Sequence, residues 1–139
     1  CFSFHVALLM SAKYQHILVV DDDKTFIYLN YKLLSKITGC KKILLKMSGV
    51  TALQYLEECD QVQDFPDLIS MDWNMPLGNG NDFLEEYSKT FYQKYPETKV
   101  IIISGVTSEI QSEHIKKYEF VIDFLPKPVN EQTLASVIL

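Results

Sequence analysis

The 139-residue chain is 47% hydrophobic and 12% aromatic, enough apolar material for one well-packed core in a single domain. Its 13 Lys and Arg against 18 Asp and Glu leave a formal charge of -5, which argues against a surface that reads nucleic-acid phosphates. Three cysteines are an odd number without metal-ligand spacing to the three histidines, so no secreted disulfide framework is expected and a reducing, cytoplasmic compartment fits.

The opening run CFSFHVALLM is apolar, but it is shorter than the ~18 residues of a membrane-span candidate, lacks a basic flank and precedes no small-residue cleavage site. MSAKYQ from Met10 reads as a natural start. Residues 1–9 are expected to be an added or upstream-translated leader, with a short packing helix or the end of a truncated membrane segment as alternatives. The division expected is an N-terminal extension over 1–14 and one domain over 15–139.

From there, short apolar runs alternate with amphipathic ones. HILVV (16–20), KILLK (42–46), DLISM (67–71), VIIIS (100–104) and FVIDF (120–124) read as strands, several of them apolar throughout, as when both faces are covered. Phe26, Leu29, Leu33, Leu34 and Ile37 mark a first helix closed by Gly39, and Ala52, Leu53 and Leu56 a second. Phe83, Leu84, Tyr87 and Phe91 mark a third that ends before Pro96, and Ile110, His114, Ile115 and Tyr118 a fourth. The fifth opens on Asn130 as N-cap and carries Leu134, Val137 and Ile138. Strict alternation predicts an α/β fold: a flavodoxin-like, doubly wound sheet of five parallel strands in order 2-1-3-4-5, with five helices on its two faces.

Ligands of such sheets sit beyond the carboxyl ends of the strands, so the strand ends name the candidate site. Strand one ends on Asp21, Asp22 and Asp23, strand three on Asp72, strand four on Ser104, and LPKPV with Lys127 follows strand five. Carboxylates gathered within a few Å repel one another unless a cation neutralises them, and oxygen ligands without His or Cys suit Mg²⁺ or Mn²⁺ better than zinc. A divalent ion held by Asp21, Asp22 and Asp72 would attract a phosphoryl group, and Lys127 and the Ser104 hydroxyl suit its remaining oxygens.

Each residue alone has a blander reading. The acidic triplet can be a solvated strand end with a helix cap, Asp72 a turn acid, Ser104 a structural hydroxyl, Lys127 an exposed charge between prolines, and Phe124 core. His5, His16 and His114 read as structural or exposed, and Trp73 as a cover at the edge of the site. It is the coincidence of the set at one rim that favours chemistry.

VVDDD, PDLISMDWNMPLGNG, VIIISG and DFLPKPV, taken together, resemble the receiver domain of two-component response regulators over roughly residues 15–139. The resemblance implies that Asp72 is a nucleophile accepting a phosphoryl group from a phosphohistidine, with the metal held by Asp21, Asp22, Asp72 and the backbone carbonyl of Asn74. Asp23 then falls outside the acidic pair and starts the first helix, where negative charge is favourable. Ser104 matches the hydroxyl that follows the phosphoryl group and Lys127 the phosphate-contacting lysine. Phe124 matches the aromatic whose rotamer reports activation, and Lys127–Pro128 is a cis-proline candidate. Gly105 leaves room for close approach.

The resemblance further implies a sensor histidine kinase or phosphotransfer protein as donor and a downstream protein target at the fourth helix, fifth strand and fifth helix. Direct binding of nucleic acid or membrane is not expected, and a homodimer is among the options. Three features depart from the family: Phe rather than Tyr at 124, glycines at 78 and 80 in the loop after Asp72, and no Gly-Ala pair before the fifth strand. The competing readings are an FMN binder, disfavoured by negative charge where its phosphate would lie, and an Asp-nucleophile phosphatase, disfavoured by the nucleophile following strand three. A receiver-like protein–protein module without phosphorylation is the remaining alternative.

Overall fold

The computed structural model describes residues 13–75, 80–105, 115 and 117–139. Its elements in chain order are β1 (Ile17–Val20), α1 (Lys24–Thr38), β2 (Ile43–Lys46), α2 (Gly49–Val62), β3 (Leu68–Asp72), α3 (Gly80–Thr90), β4 (Lys99–Ser104), β5 (Val121–Pro126) and α4 (Glu131–Ile138). The five strands form one parallel sheet in the order β2-β1-β3-β4-β5, as the alternation of patterns predicts. Four helices, not five, are seen among the described residues. The helix expected over 110–118 falls largely outside them, as do His5, Gly78 and His114. No helix among the described residues is long and apolar enough to cross a membrane.

The three central strands β1, β3 and β4 are buried on both faces, because side chains alternate and each face has its own helices, while the edge strands β2 and β5 are partly exposed. Leu18, Val20, Ile69, Met71, Val100 and Ile102 point into one core cluster with Ala52 and Leu56 of α2 and Phe83, Leu84 and Tyr87 of α3. Ile17, Val19, Leu68, Ile101 and Ile103 point into the other with Ile27 and Leu34 of α1 and Leu134 and Ile138 of α4. Tyr14 joins this second cluster, 3% exposed, and its hydroxyl donates to the Ile138 carbonyl at 2.6 Å, so the packing of the domain includes Tyr14.

Local chemistry explains the element ends. Asp23 in extended conformation caps α1, and Gly39 closes it in the left-handed region at φ 69°, where a Cβ would be strained. Ser48 caps α2 and Asn130 caps α4 through the Thr133 N–H. The pairing of β5 with β4 carries an irregularity: Val121 pairs with Val100 but Asp123 with Ile101, so Ile122 is an extra residue.

At the end of the sheet opposite the acidic triplet, His16 is buried, as a structural reading expects. Its Nδ1 lies 3.1 Å from Asp64 Oδ1 and its Nε2 2.6 Å from the Tyr55 hydroxyl, a pattern that fits a neutral ring donating to the carboxylate and accepting from the phenol. Burial holds its pKa below the ordinary histidine range despite the Asp64 charge.

Candidate functional site

The three acids that end β1 have separate environments. Asp21 is 1% exposed, and its Oδ1 accepts from the Asp23 N–H at 2.9 Å, which turns the chain sharply out of the strand. Asp22 is exposed. Asp23 is committed elsewhere: its Oδ1 accepts from the N–H groups of Thr25 at 2.8 Å and Phe26 at 3.1 Å, satisfying two of the donors that a helix start leaves unpaired.

Asp72 is the last residue of β3, in register with Ile103 of β4, and is buried. Its Oδ1 accepts from the Asn74 N–H at 3.3 Å. The Asn74 side chain crosses to β4 and donates from Nδ2 to Ser104 Oγ at 3.2 Å, with Ser104 fully buried. Trp73, next to Asp72, is buried in the first core cluster. Its carbonyl accepts from the Gly80 N–H at 2.8 Å, and its ring lies so close to Gly80 that a Cβ there would stand 2.5 Å from Cε3.

Lys127 enters from the β5 side. Its N–H donates to the Ser104 carbonyl at 2.9 Å and the Lys127–Pro128 peptide is cis. The ammonium stands 3.0 Å from Asp21 Oδ2 and 3.4 Å from Asp72 Oδ2, and 4.3 Å from the centroid of the Phe26 ring. Phe124 is half-buried on β5 and packs on the first core cluster. A Cβ on Gly105 would meet nothing within 4 Å, so packing does not demand a glycine there.

The electrostatics are unequal. Burial raises the pKa of Asp72 and the Asp21 charge raises it further, against the pull of Lys127 and the Asn74 N–H. Burial works against the Lys127 charge, yet the hydrogen bond to Asp21 and the charges of both acids outweigh it and hold the ammonium above its ordinary value. The two shifts reconcile if Asp21 takes the larger share of the ammonium while Asp72 feels Asp21 as a like charge, in keeping with the shorter Asp21 contact.

Asp21, Asp22 and Asp72 each bring a ligand oxygen within 4.8 Å of the others. Three carboxylates facing one ammonium leave an excess of about two negative charges, and the donors are all oxygen. That set fits a hard divalent cation such as Mg²⁺ or Mn²⁺.

The model of the response regulator receiver domain matches residues 17–139, which spans every element described above. The chain belongs to the response regulator receiver domain family. Among similar sequences, the transcriptional regulatory protein CpxR of Escherichia coli is 31% identical over 86% of this chain and 46% of its own length. A protein-glutamate methylesterase/protein-glutamine glutaminase of Pyrococcus abyssi is 37% identical over 58% of this chain. The match covers 19% of that methylesterase, so the chain spans less than half the length of either relative. A two-component response regulator from Cytophaga hutchinsonii has the same fold, with a TM-score of 0.82 at 22% identity over 90% of this chain and 94% of its own.

Within this receiver, the strand-end reading brings Asp21, Asp22, Asp72 and Lys127 together, with Ser104 tied to the same rim through Asn74. It leaves Phe124 outside that cluster. It also misses two side chains: Phe26, whose ring faces Lys127, and the Asn74 carboxamide, singled out only for its carbonyl. The signal for Phe26 was its place on the first turn of α1, three residues after the cap, which the helix periodicity assigned to packing.

Proposed function

We propose that this receiver is a phosphoacceptor: Asp72 takes a phosphoryl group from a phosphohistidine on a kinase or phosphotransfer protein, and the modification switches a protein-binding surface. The observation that supports it most is the buried Asp72 carboxylate at a strand end, within reach of the Lys127 ammonium and of two further carboxylates.

In the transfer, a carboxylate oxygen of Asp72 attacks phosphorus while the phosphorus–nitrogen bond of the donor breaks. The bonding pair returns to the imidazole nitrogen, and the ring ends neutral because its other nitrogen carries a proton throughout, while Asp72 carries an acyl phosphate. Lys127 needs only to turn from the carboxylates toward the incoming phosphoryl oxygens to offset charge there. The Asn74 N–H at Oδ1 holds the Asp72 carboxylate in a fixed orientation. Mg²⁺ or Mn²⁺ held by Asp21, Asp22, Asp72 and the Asn74 carbonyl would neutralise the phosphoryl oxygens.

Switching follows from Ser104. Its oxygen accepts from the Asn74 carboxamide at 3.2 Å, and a phosphoryl group on Asp72 offers the hydroxyl a stronger, charged acceptor. Movement of Ser104 toward it would open space for Phe124 to turn inward and reshape the surface made by β5 and α4. The differential contact that switching needs is then the Ser104–phosphate hydrogen bond.

The test is labelling with acetyl phosphate in the presence and absence of Mg²⁺. The expected result is a metal-dependent, acid-stable and base-labile acyl phosphate in the wild type and none in Asp72→Ala. Labelling of Asp72→Ala at the wild-type level would sink this reading, and a wild type that never labels would leave a protein–protein module without phosphorylation.

A further inference from the structure

The Lys127 ammonium is walled on three sides, by two carboxylates and by an aromatic ring. Its side chain is 11% exposed, on a stem whose four methylenes would otherwise leave the charge free to choose among positions. The two ion pairs differ by only 0.4 Å and do not by themselves fix where it rests, since 3.0 Å to Asp21 and 3.4 Å to Asp72 are both favourable. The ring of Phe26 stands 4.3 Å from the ammonium, within the range where the negative face of an aromatic attracts a cation.

Phe26 is itself well anchored. Its N–H donates to the Asp23 cap at 3.1 Å, its place is the first turn of α1, and the same cap residue donates its own N–H to Asp21. One short segment thus presents both the carboxylate that pairs with Lys127 and the ring that faces it.

We infer that Phe26 is a positioning residue for phosphoryl transfer, its ring face holding the Lys127 ammonium beside Asp72. This rests on Asp72 being the phosphoacceptor. The ring makes no contact with the donor: it confines the charge that does. An aliphatic side chain of similar bulk would fill the volume without attracting the cation, whereas tyrosine would keep the attraction.

The experiment compares wild type, Phe26→Leu and Phe26→Tyr, using the full chain with acetyl phosphate and Mg²⁺. The labelling rate constant at saturating acetyl phosphate is expected to fall about two- to thirtyfold in Phe26→Leu, the range of a cation–π contact, with half-saturation little changed. Phe26→Tyr is expected to stay within about twofold of wild type on the same scale. Undiminished labelling in Phe26→Leu, or equal losses in the Leu and Tyr variants, would overturn the inference.

A second arm needs neither metal nor phosphodonor. The ε-methylene protons of Lys127 should be shifted upfield by the ring in the NMR spectra of wild type and Phe26→Tyr, and not in Phe26→Leu; their absence from the upfield region in wild type would also overturn it. If wild type shows the shift but never labels, the phosphoacceptor reading fails while the contact stands.

Discussion

The Lys127 ammonium lies nearer to Asp21, at 3.0 Å, than to Asp72, at 3.4 Å. Asp21 makes the shorter of its two ion pairs, and the ammonium occupies space and charge that a metal ion would share. Replacing Lys127 with methionine removes the charge and keeps the reach. Mg²⁺ is expected to bind several-fold more tightly in Lys127→Met, followed by the fluorescence of Trp73, while acetyl phosphate labelling falls at least about tenfold. Unchanged Mg²⁺ affinity would show that the ammonium does not compete with the cation.

Asp22 and Asp23 are adjacent and both exposed, yet only Asp22 joins the carboxylate cluster. Asp22→Ala is expected to weaken Mg²⁺-dependent labelling severely. Asp23→Ala removes a cap and costs about 1 kcal/mol of stability, read by chemical denaturation, with labelling nearly intact. Equal losses of labelling from the two substitutions would contradict this division of the triplet.

Gly80 lets the start of α3 settle onto Trp73. A Cβ there would stand 2.5 Å from Cε3 and 3.1 Å from the Trp73 Cα, and a backbone atom cannot give way as a side chain can. Gly80→Ala is expected to destabilise the domain by about 1–3 kcal/mol and to shift the emission of Trp73, both measured in one denaturation series followed by fluorescence. A variant as stable as wild type would show that α3 slides without cost.

His16 gives stability a pH dependence of predictable sign. Its pKa is lowered in the folded chain by burial, with Lys42 adding to the effect and Asp64 and Asp67 opposing it. The unfolded chain therefore binds more protons below about pH 6.5, and the stability that the neutral, buried ring contributes is full above that value and lost as pH falls below it. Between pH 7 and 5.5 the wild type is expected to lose up to about 1 kcal/mol more than His16→Gln in urea denaturation. Parallel pH profiles for the two proteins would refute this.

Sequence reasoning reached what is written in local patterns. The runs of Ile, Val and Leu marked the strands, the three central ones covered on both faces, Gly39 could only end α1 cheaply, and Asn130 announced α4 by its side chain. The strand ends likewise named Asp21, Asp22, Asp72 and Lys127, because a parallel sheet brings such ends to one rim. The contacts that were missed join residues with no shared periodicity. Phe26 reads as a helix-face apolar residue until β5 delivers Lys127 beneath it, and Asn74 reads as a turn residue until β4 sets Ser104 within 3.2 Å of its carboxamide. FVIDF carries no mark of an interrupted ladder, and the strand expected over 120–124 runs instead from Val121 to Pro126 with an extra residue at Ile122.

The extra residue at Ile122 bears on how the two ends of β5 communicate. Because of it, Val121 and Phe124 share one face of the sheet although one is at an odd and the other at an even position, and Leu125 turns to the opposite face. The interruption acts as a phase adjuster. Past it, the stretch from Asp123 to Pro126 pairs in step with Ile101–Ser104, which sets Phe124 two positions and Lys127 one hydrogen bond from Ser104 on the same ladder.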